Sequence, residues 1–494
     1  MNRDGGLDRL ASEPDWDIVV IGGGATGLGA ALDAASRGYR TALIERSDFA
    51  SGTSSRSTKL VHGGVRYLKQ GDIPLVTGAL RERGLLFQNA PHLVHPLPFI
   101  IPSYHWWESP YFATGLKLYD WLAGDLGIRK TRILDRDAAL EQIPLLNQDG
   151  FRGGVQYWDG QFDDARLATD LASNIWKHDG IALNYVAVKE LIKENGRVSG
   201  LVYEDTITGK TSETRAKAII NATGVFSDSI RTQDNASSVP FIRASQGAHI
   251  VVSQDLIPMK SAFIVPKTTD GRVLFAIPWN NRAIIGTTDT PVDSISEHPR
   301  PFKEEIQFIV QNATNYLDIA IRPEDIKGAY AGLRPLVSLN PKAGSTAKLS
   351  RDHHIEISDT GLVTIAGGKW TTYRKMAEDV VDRTIAAHDL LEKPCMTESL
   401  PIETDFPDAS GDTIHPDLPY TWNQVDHAIA NEMPQTIEDV LGRRTRSSVL
   451  DARAASEVAP DVADRLVAAT ALSESAKADA IAAFQEANRL PEAL

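Results

Sequence analysis

Unbroken apolar runs, not alternation, mark the most deeply buried parts of this chain. Ile18, Val19, Val20 and Ile21 form one such run, the signature of a parallel strand covered on both faces. Leu28, Ala31, Leu32 and Ala35 then recur at helical spacing, and Gly38 is placed to end that helix. Arg40 to Ile44 reads as a second strand. Lys217 to Asn221 and Leu362 to Ala366 predict two more buried strands of the same kind. Each runs into small residues: Ala222-Thr223-Gly224 after the first, Gly367-Gly368-Lys369-Trp370-Thr371-Thr372 after the second. A helix to about His388 follows the second turn.

Elsewhere the pattern changes. From Phe241 to Ile285, strand-like runs follow one another at His249–Val252, Ala262–Val265, Val273–Ile277 and Ala283–Ile285. They predict a mostly antiparallel sheet distinct from the first unit, with a helix from Pro301 to Leu317 on it. Pro74 to Asn89 predicts a helix and His92 to Pro102 an extended segment. Asp163 is placed to cap a helix running to Lys177, and Asn195-Gly196 to turn a hairpin. Between Tyr104 and Ile128 aromatics cluster: Trp106, Trp107, Tyr111, Phe112, Tyr119 and Trp121. Phe112, Leu116, Tyr119 and Leu122 share one helical face. That face reads first as packing on its own domain. The alternative is a membrane-interface or partner helix, since Trp and Tyr favour such boundaries. Thr404 to Tyr420, rich in Pro, Asp and Gly, reads as a linker. The Ala-rich chain from Thr421 onward reads as helical, with no chemical cluster in it. There is no internal repeat.

Composition narrows the classes. The 494 residues exceed a single core, so two or three domains are expected. A net charge of −14 argues against nucleic acid as the main partner and fits a broad anionic membrane surface poorly. Cys395 is the single cysteine, so no internal disulfide exists and a reducing compartment is the easier reading. No apolar run approaches the roughly 20 residues of a membrane span, and Met1 to Trp16 is unlike a signal peptide. A cytoplasmic location is expected, or a peripheral one on the cytoplasmic face of the inner membrane. Nothing in the pattern points to a bound metal, and a homodimer is allowed.

The first turn carries the chemistry. Gly22, Gly24 and Gly27 match the G-x-G-x-x-G spacing. There the first glycine turns the chain, the second admits a diphosphate to the backbone, and the third lets helix approach strand. Ala25 and Thr26 open the helix whose free N–H groups and dipole favour that anion. Glu45, about 20 residues on, is placed to accept from ribose hydroxyls. The stretch from Arg46 to Gly64 is rich in small and hydroxyl residues, poor material for a core and good material for wrapping a polar ligand.

Taken together, the motifs resemble the FAD-dependent glycerol-3-phosphate dehydrogenases that pass electrons to the quinone pool. The resemblance rests on IGGGATG at Ile21–Gly27, TSSRSTKLVHGGVRYL at Thr53–Leu68, APHLVHPLPFIIP at Ala90–Pro102 and DDARL at Asp163–Leu167. NATGVFSD at Asn221–Asp228, IPWNNRAIIGTTD at Ile277–Asp289, AGLRPL at Ala331–Leu336 and GGKWTTYRKMAED at Gly367–Asp379 complete it. It covers residues 15–390 well and the tail more loosely.

The resemblance implies an α/β protein with a Rossmann-like FAD-binding domain, a mixed-sheet substrate or cap domain, and a C-terminal all-α domain. The expected boundaries are 15–95, 155–240 and 345–390 for the first, 96–154 and 241–344 for the second, and 404–494 for the third. The implied reaction is oxidation of sn-glycerol 3-phosphate to dihydroxyacetone phosphate. Hydride passes from C2 to FAD N5 and electrons pass on to quinone. His249 is implied as general base, because imidazole titrates near neutrality, with Arg334 and Lys369 beside it. His62, His353 and His354 are rivals. Arg66, Tyr67, Arg334, Arg351 and Lys369 are implied to hold the phosphate. Gly22, Gly24, Ala25, Thr26, Gly27, Glu45, Ser54, Ser55, Lys59, His62, Val188, Gly224, Gly368 and Lys369 are implied to hold a non-covalent FAD. Two other enzyme readings stay open: a soluble glycerol-3-phosphate oxidase using oxygen, and an amine or amino-acid oxidase of the same fold. A non-enzymatic FAD-holding scaffold is a third reading. The acidic balance sits awkwardly with the family's membrane docking and leaves the electron acceptor open.

Overall fold

Parallel strands need crossovers that cover both faces of a sheet, and the apolar runs are found in such a sheet. In this computed structural model, residues 1–13, 15–69, 71–265, 268, 273–338 and 352–490 are described, without the side chains of Arg66 and Lys69. Trp16–Ile21 lies at the centre, paired parallel with Thr41–Ile44 on one side and Thr211–Asn221 on the other. Ile181–Leu183 extends the sheet beyond Thr41–Ile44, and Val363–Gly367 then His353–Ile357 extend it beyond Thr211–Asn221. Helices Ala25–Ser36, Asp164–Lys177 and Tyr373–Ala387 pack together over it, with Ile18, Val20, Leu28, Leu43, Leu171 and Val380 fully buried between the layers. Asp163 caps its helix by accepting from the N–H groups of Ala165 and Arg166. Asn195 and Gly196 both take positive φ, 51° and 78°, at the hairpin joining Val186–Glu194 to Arg197–Asp205.

The second sheet is mixed. Ile242–Ser253 pairs antiparallel with Arg282–Gly286 on one side and Ile326–Val337 on the other. From Arg282–Gly286 the order continues through Leu274–Trp279, Ala262–Val265, His95–Ser103 and Gly153–Gln161 to Leu60–Val61. The pair Ala262–Val265 and His95–Ser103 is parallel. Helix Lys303–Tyr316 packs on this sheet. One expected domain boundary and one expected assignment need correction here. A break at residue 155 would fall inside strand Gly153–Gln161, and Leu60–Val61, expected with the first domain, pairs with Gly160 and Gln161 of the second sheet. Cross-strand hydrogen bonds decide which sheet a short apolar segment joins, and local pattern carries no record of them.

Helix Glu108–Ala123 buries Ala113, Leu116 and Tyr119 and half-buries Phe112 and Leu122, so the expected face is the packed one. Its other side is unusual. Trp107, Tyr111, Leu118 and Trp121 recur at steps of four, seven and three and are all exposed, Trp121 by 75%, and neighbouring Trp106 is 79% exposed.

After Tyr420 come helices Trp422–Asn431, Ala452–Ala469 and Lys477–Ala487, with a π-helical turn at Asp439–Arg444 and a short helix at Ser447–Leu450. Their apolar residues, Val458, Val462 and Leu466 among them, share a core with the second sheet. Toward the first sheet, buried charges face the contact. Arg444 donates to both oxygens of Asp48, Arg443 to one of them, and Arg166 pairs with Glu432. Among the described residues, no helix is long and apolar enough to cross a membrane.

Candidate functional site

The two sheets meet at a cavity of about 490 Å³, within the size range of small-molecule and cofactor sites. One wall is the first turn. Gly22 has φ +110°, and a Cβ there would stand 2.6 Å from the Ala222 carbonyl oxygen. A Cβ on Gly27 would stand 1.9 Å from the Gly22 oxygen. These glycines are required by packing. Gly24 faces only the Ser54 hydroxyl, which accepts from the Ala25 N–H at 2.9 Å. The backbone is therefore open toward the cavity where a diphosphate would lie, and the donor set fits one. Glu45 accepts from the N–H of Gly23 at 2.6 Å and of Ser47 at 2.9 Å. Burial pushes its carboxyl up, and those two N–H groups pull it back.

The opposite wall is set by strand register. His249 stands opposite Tyr330, Gly247 opposite Gly332, and Ser245 opposite Arg334. Residues at every second position share a face, so His249 and Arg334 project to one side, with two glycines between them. That bare stretch is obligatory. A Cβ on Gly247 would come within 2.3 Å of the Arg334 guanidinium, and one on Gly332 within 3.0 Å of Arg56. Arg334 is held across the shelf by Thr287 Oγ1 and the Thr288 carbonyl, both at 2.9 Å, with Asp289 at 3.4 Å.

His249 is buried, and the Tyr330 ring stacks on its imidazole at 4.7 Å. Its Nε2 lies 2.9 Å from Thr58 Oγ1. Burial first, then the charges of Lys59 and Arg334, hold its pKa well below the usual 6.5. The ring is therefore neutral across the physiological range.

Most of the expected site residues line this one cavity: Gly22, Gly24, Ala25, Thr26, Glu45, Ser54, His62, Tyr67, Val188, Gly224, His249, Arg334, Gly368 and Lys369. The Lys369 ammonium lies 4.0 Å over the Tyr67 ring. Three residues expected at the cofactor do not line it. Gly27 packs under the turn, Ser55 is buried, and Lys59 is fully buried behind the wall, its ammonium 2.7 Å from Asp164. A lysine in a hydroxyl-rich loop looks free in sequence, and the ion pair 105 residues away is invisible there. His353 bonds Asp379 at 3.1 Å, and neither it nor His354 lines the cavity. The Arg66 side chain and Arg351 lie outside the described residues.

Sequence reading passed over Thr58, Arg56, Glu297 and His298, which also line the cavity. Burial, reinforced by Arg443 and Arg446, pushes the Arg56 guanidinium down to about 10. The hydroxyl-rich loop was the available signal for Thr58. Glu297 and His298 arrive on the loop that precedes helix Lys303–Tyr316 and left none. Among the described residues no cluster of metal-ligating side chains occurs.

Comparison with known proteins gives concordant matches. A family model described as FAD dependent oxidoreductase matches residues 17–374, and one described as the C-terminal domain of alpha-glycerophosphate oxidase matches residues 359–477. The chain is similar to the mitochondrial glycerol-3-phosphate dehydrogenase of Mus musculus, 46% identical over 414 residues, covering 81% of this chain and 57% of that protein. The chain thus spans little more than half the length of that curated relative. It is similar to the probable mitochondrial glycerol-3-phosphate dehydrogenase of Caenorhabditis elegans, 39% identical over 513 residues, covering 92% of this chain and 71% of the relative. Among solved structures, the glycerol-3-phosphate dehydrogenase from Bacillus halodurans complexed with FAD matches with a TM-score of 0.79 and 28% identity, over 98% of this chain and 97% of that one.

Proposed function

The chain belongs to the FAD-dependent glycerol-3-phosphate dehydrogenase family, and we propose that it oxidises the C2 hydroxyl of sn-glycerol 3-phosphate to the ketone of dihydroxyacetone phosphate. FAD is the family's cofactor. When bound, here without a covalent link, it supplies the acceptor for the hydride that leaves C2. The protein's part is to hold the substrate, take the hydroxyl proton and settle charge. The observation that carries this reading is the register that sets His249 and Arg334 on one face, across Gly247 and Gly332, in the cavity that also takes in Gly22 and Glu45. The C2 O–H proton passes to the His249 imidazole, which is neutral beforehand. Arg334, fixed by Thr287 and Thr288, offers its charge to the phosphate or the developing alkoxide. Lys369 and Tyr67 stand at the same cavity and complete the anion pocket. The C2–H and O–H bonds break, and the carbonyl takes their place.

The test is anaerobic. Glycerol 3-phosphate added to the flavin-loaded protein is expected to bleach the flavin band, and equimolar glycerol to leave it. Bleaching by both compounds alike would remove the phosphate pocket, and bleaching by neither would remove the reaction.

The two electrons then go to a quinone, and the protein meets that acceptor at a membrane surface. The exposed row of Trp107, Tyr111, Leu118 and Trp121, with Trp106 beside it, supports a peripheral contact. Lys117, Arg129 and Lys130 are exposed in the same stretch of an otherwise acidic chain. Co-sedimentation with phosphatidylglycerol-containing vesicles is expected, and the W106A/W121A pair should weaken it at least about tenfold. Equal partitioning of both proteins would sink the contact.

A further inference from the structure

The loop that brings Thr58 to His249 is held from an unexpected direction. Ser57 donates to Asp164 through both its N–H, at 3.1 Å, and its hydroxyl, at 2.7 Å, and its carbonyl accepts from Tyr330, the residue stacked on His249. Lys59 donates to Asp164 and, at 2.8 Å, to the Ser55 carbonyl. A second cation meets the same two acceptors: Arg446 of the C-terminal helical region donates to the Ser55 carbonyl at 2.7 Å and to Asp164 at 3.2 Å. Its other terminal nitrogen donates to the Gly442 carbonyl at 2.7 Å, which ties it to the π-helical turn. Arg446 is 1% exposed, lies 391 positions from Ser55, and touches none of the cavity.

Two features separate this arrangement from ordinary packing. Lys59 and Arg446 both sit in left-handed backbone, at φ +60° and +56°, although neither is glycine. Such conformations persist where surrounding contacts over-determine them and gather at functional sites. In addition, the segment between the two clamped points, Ser55 and Lys59, contains Thr58, whose Oγ1 lies 2.9 Å from His249 Nε2. A buried charge with fixed partners resists displacement, because moving it strands the partner.

We infer that Arg446 is a positioning residue for the reaction. Through Ser55 and Asp164 it fixes the segment Ser55–Lys59, so that the Thr58 hydroxyl, at Nε2, holds the orientation of the His249 imidazole. The C-terminal helical region thereby takes part in the chemistry without touching substrate or cofactor. The inference rests on the reading of His249 as the proton acceptor.

The test is a double-mutant cycle on the flavin-loaded full chain, read as kcat and KM for glycerol 3-phosphate. T58V is expected to lower kcat about tenfold with KM changed less than about twofold, since a lost orienting contact costs rate rather than binding. T58S restores the hydroxyl and should return kcat to within about threefold. R446A should lower kcat by about the same factor, and R446K should recover part of it. In the T58V background, R446A should add less than about a twofold further loss, because both changes break one chain of contacts. Multiplying effects, or a loss from R446A that falls on KM or on flavin content, would overturn the positioning role. Should R446A fail to fold, R446K against R446K/T58V gives the same comparison. H249Q runs alongside. Wild-type turnover in H249Q would instead remove the proton-acceptor reading itself, whereas collapsed turnover in H249Q with normal turnover in T58V would remove only the positioning inference.

Discussion

Replacing His249 with alanine is expected to lower turnover by about 10²-fold or more, with the flavin still bound. The ring lines the cavity but lies on the second sheet, away from the glycine turn, so its loss leaves the dinucleotide cradle intact. The wild-type pH profile gives the same prediction a second reading. A base must be neutral to act, and burial together with Lys59 and Arg334 keeps this imidazole neutral to well below pH 6.5. kcat/KM should therefore stay level through the range where a solvent-exposed histidine titrates. It should fall only on the acid side, as protonation at last overtakes the depressed pKa. The alanine variant should lose that acid limb. An unchanged rate would hand the proton to His62, the other histidine of the original candidates on the cavity wall, or to water.

Arg334→Ala carries the second large effect. The guanidinium is half-buried and ordered by Thr287, Thr288 and Gln246 before any substrate arrives, so little side-chain entropy remains to be lost on binding. Removing it takes a counter-charge from Asp289, which faces it at 3.4 Å and also accepts from the Ser245 hydroxyl, and takes the charge away from the anion. Truncating one partner of such a pair costs about 2–5 kcal/mol, so kcat/KM for glycerol 3-phosphate should fall by roughly 10²-fold or more. Flavin content should not change. The loss should be much smaller with glycerol, which brings no phosphate. An unaltered specificity constant would exclude Arg334 from the pocket.

The sequence by itself determined the parts whose physics is local. Ile18–Ile21 can only be a strand buried on both faces. Gly22 and Gly27 mark a turn that no side chain could occupy, Gly24 completes the spacing, and Asp163, Asn195 and Gly196 dictate a cap and a hairpin through their own backbone chemistry. The family motifs added a list of site residues, most of which line one cavity. Tertiary structure alone decided the rest. That Gly153–Gln161 joins the second sheet, that Gly247 faces Gly332 between His249 and Arg334, and that Trp106, Trp107 and Trp121 are left outside are all matters of register and packing. Lys59 reads as a loop cation but is committed to Asp164, and Arg446 reads as one more basic residue in a featureless tail but closes on Ser55. The reason is the range of the forces involved. Propensity, capping and turn chemistry act over a few residues and are written in consecutive letters. A hydrogen bond or ion pair spanning hundreds of positions depends on where the folded chain returns, and no local pattern records that.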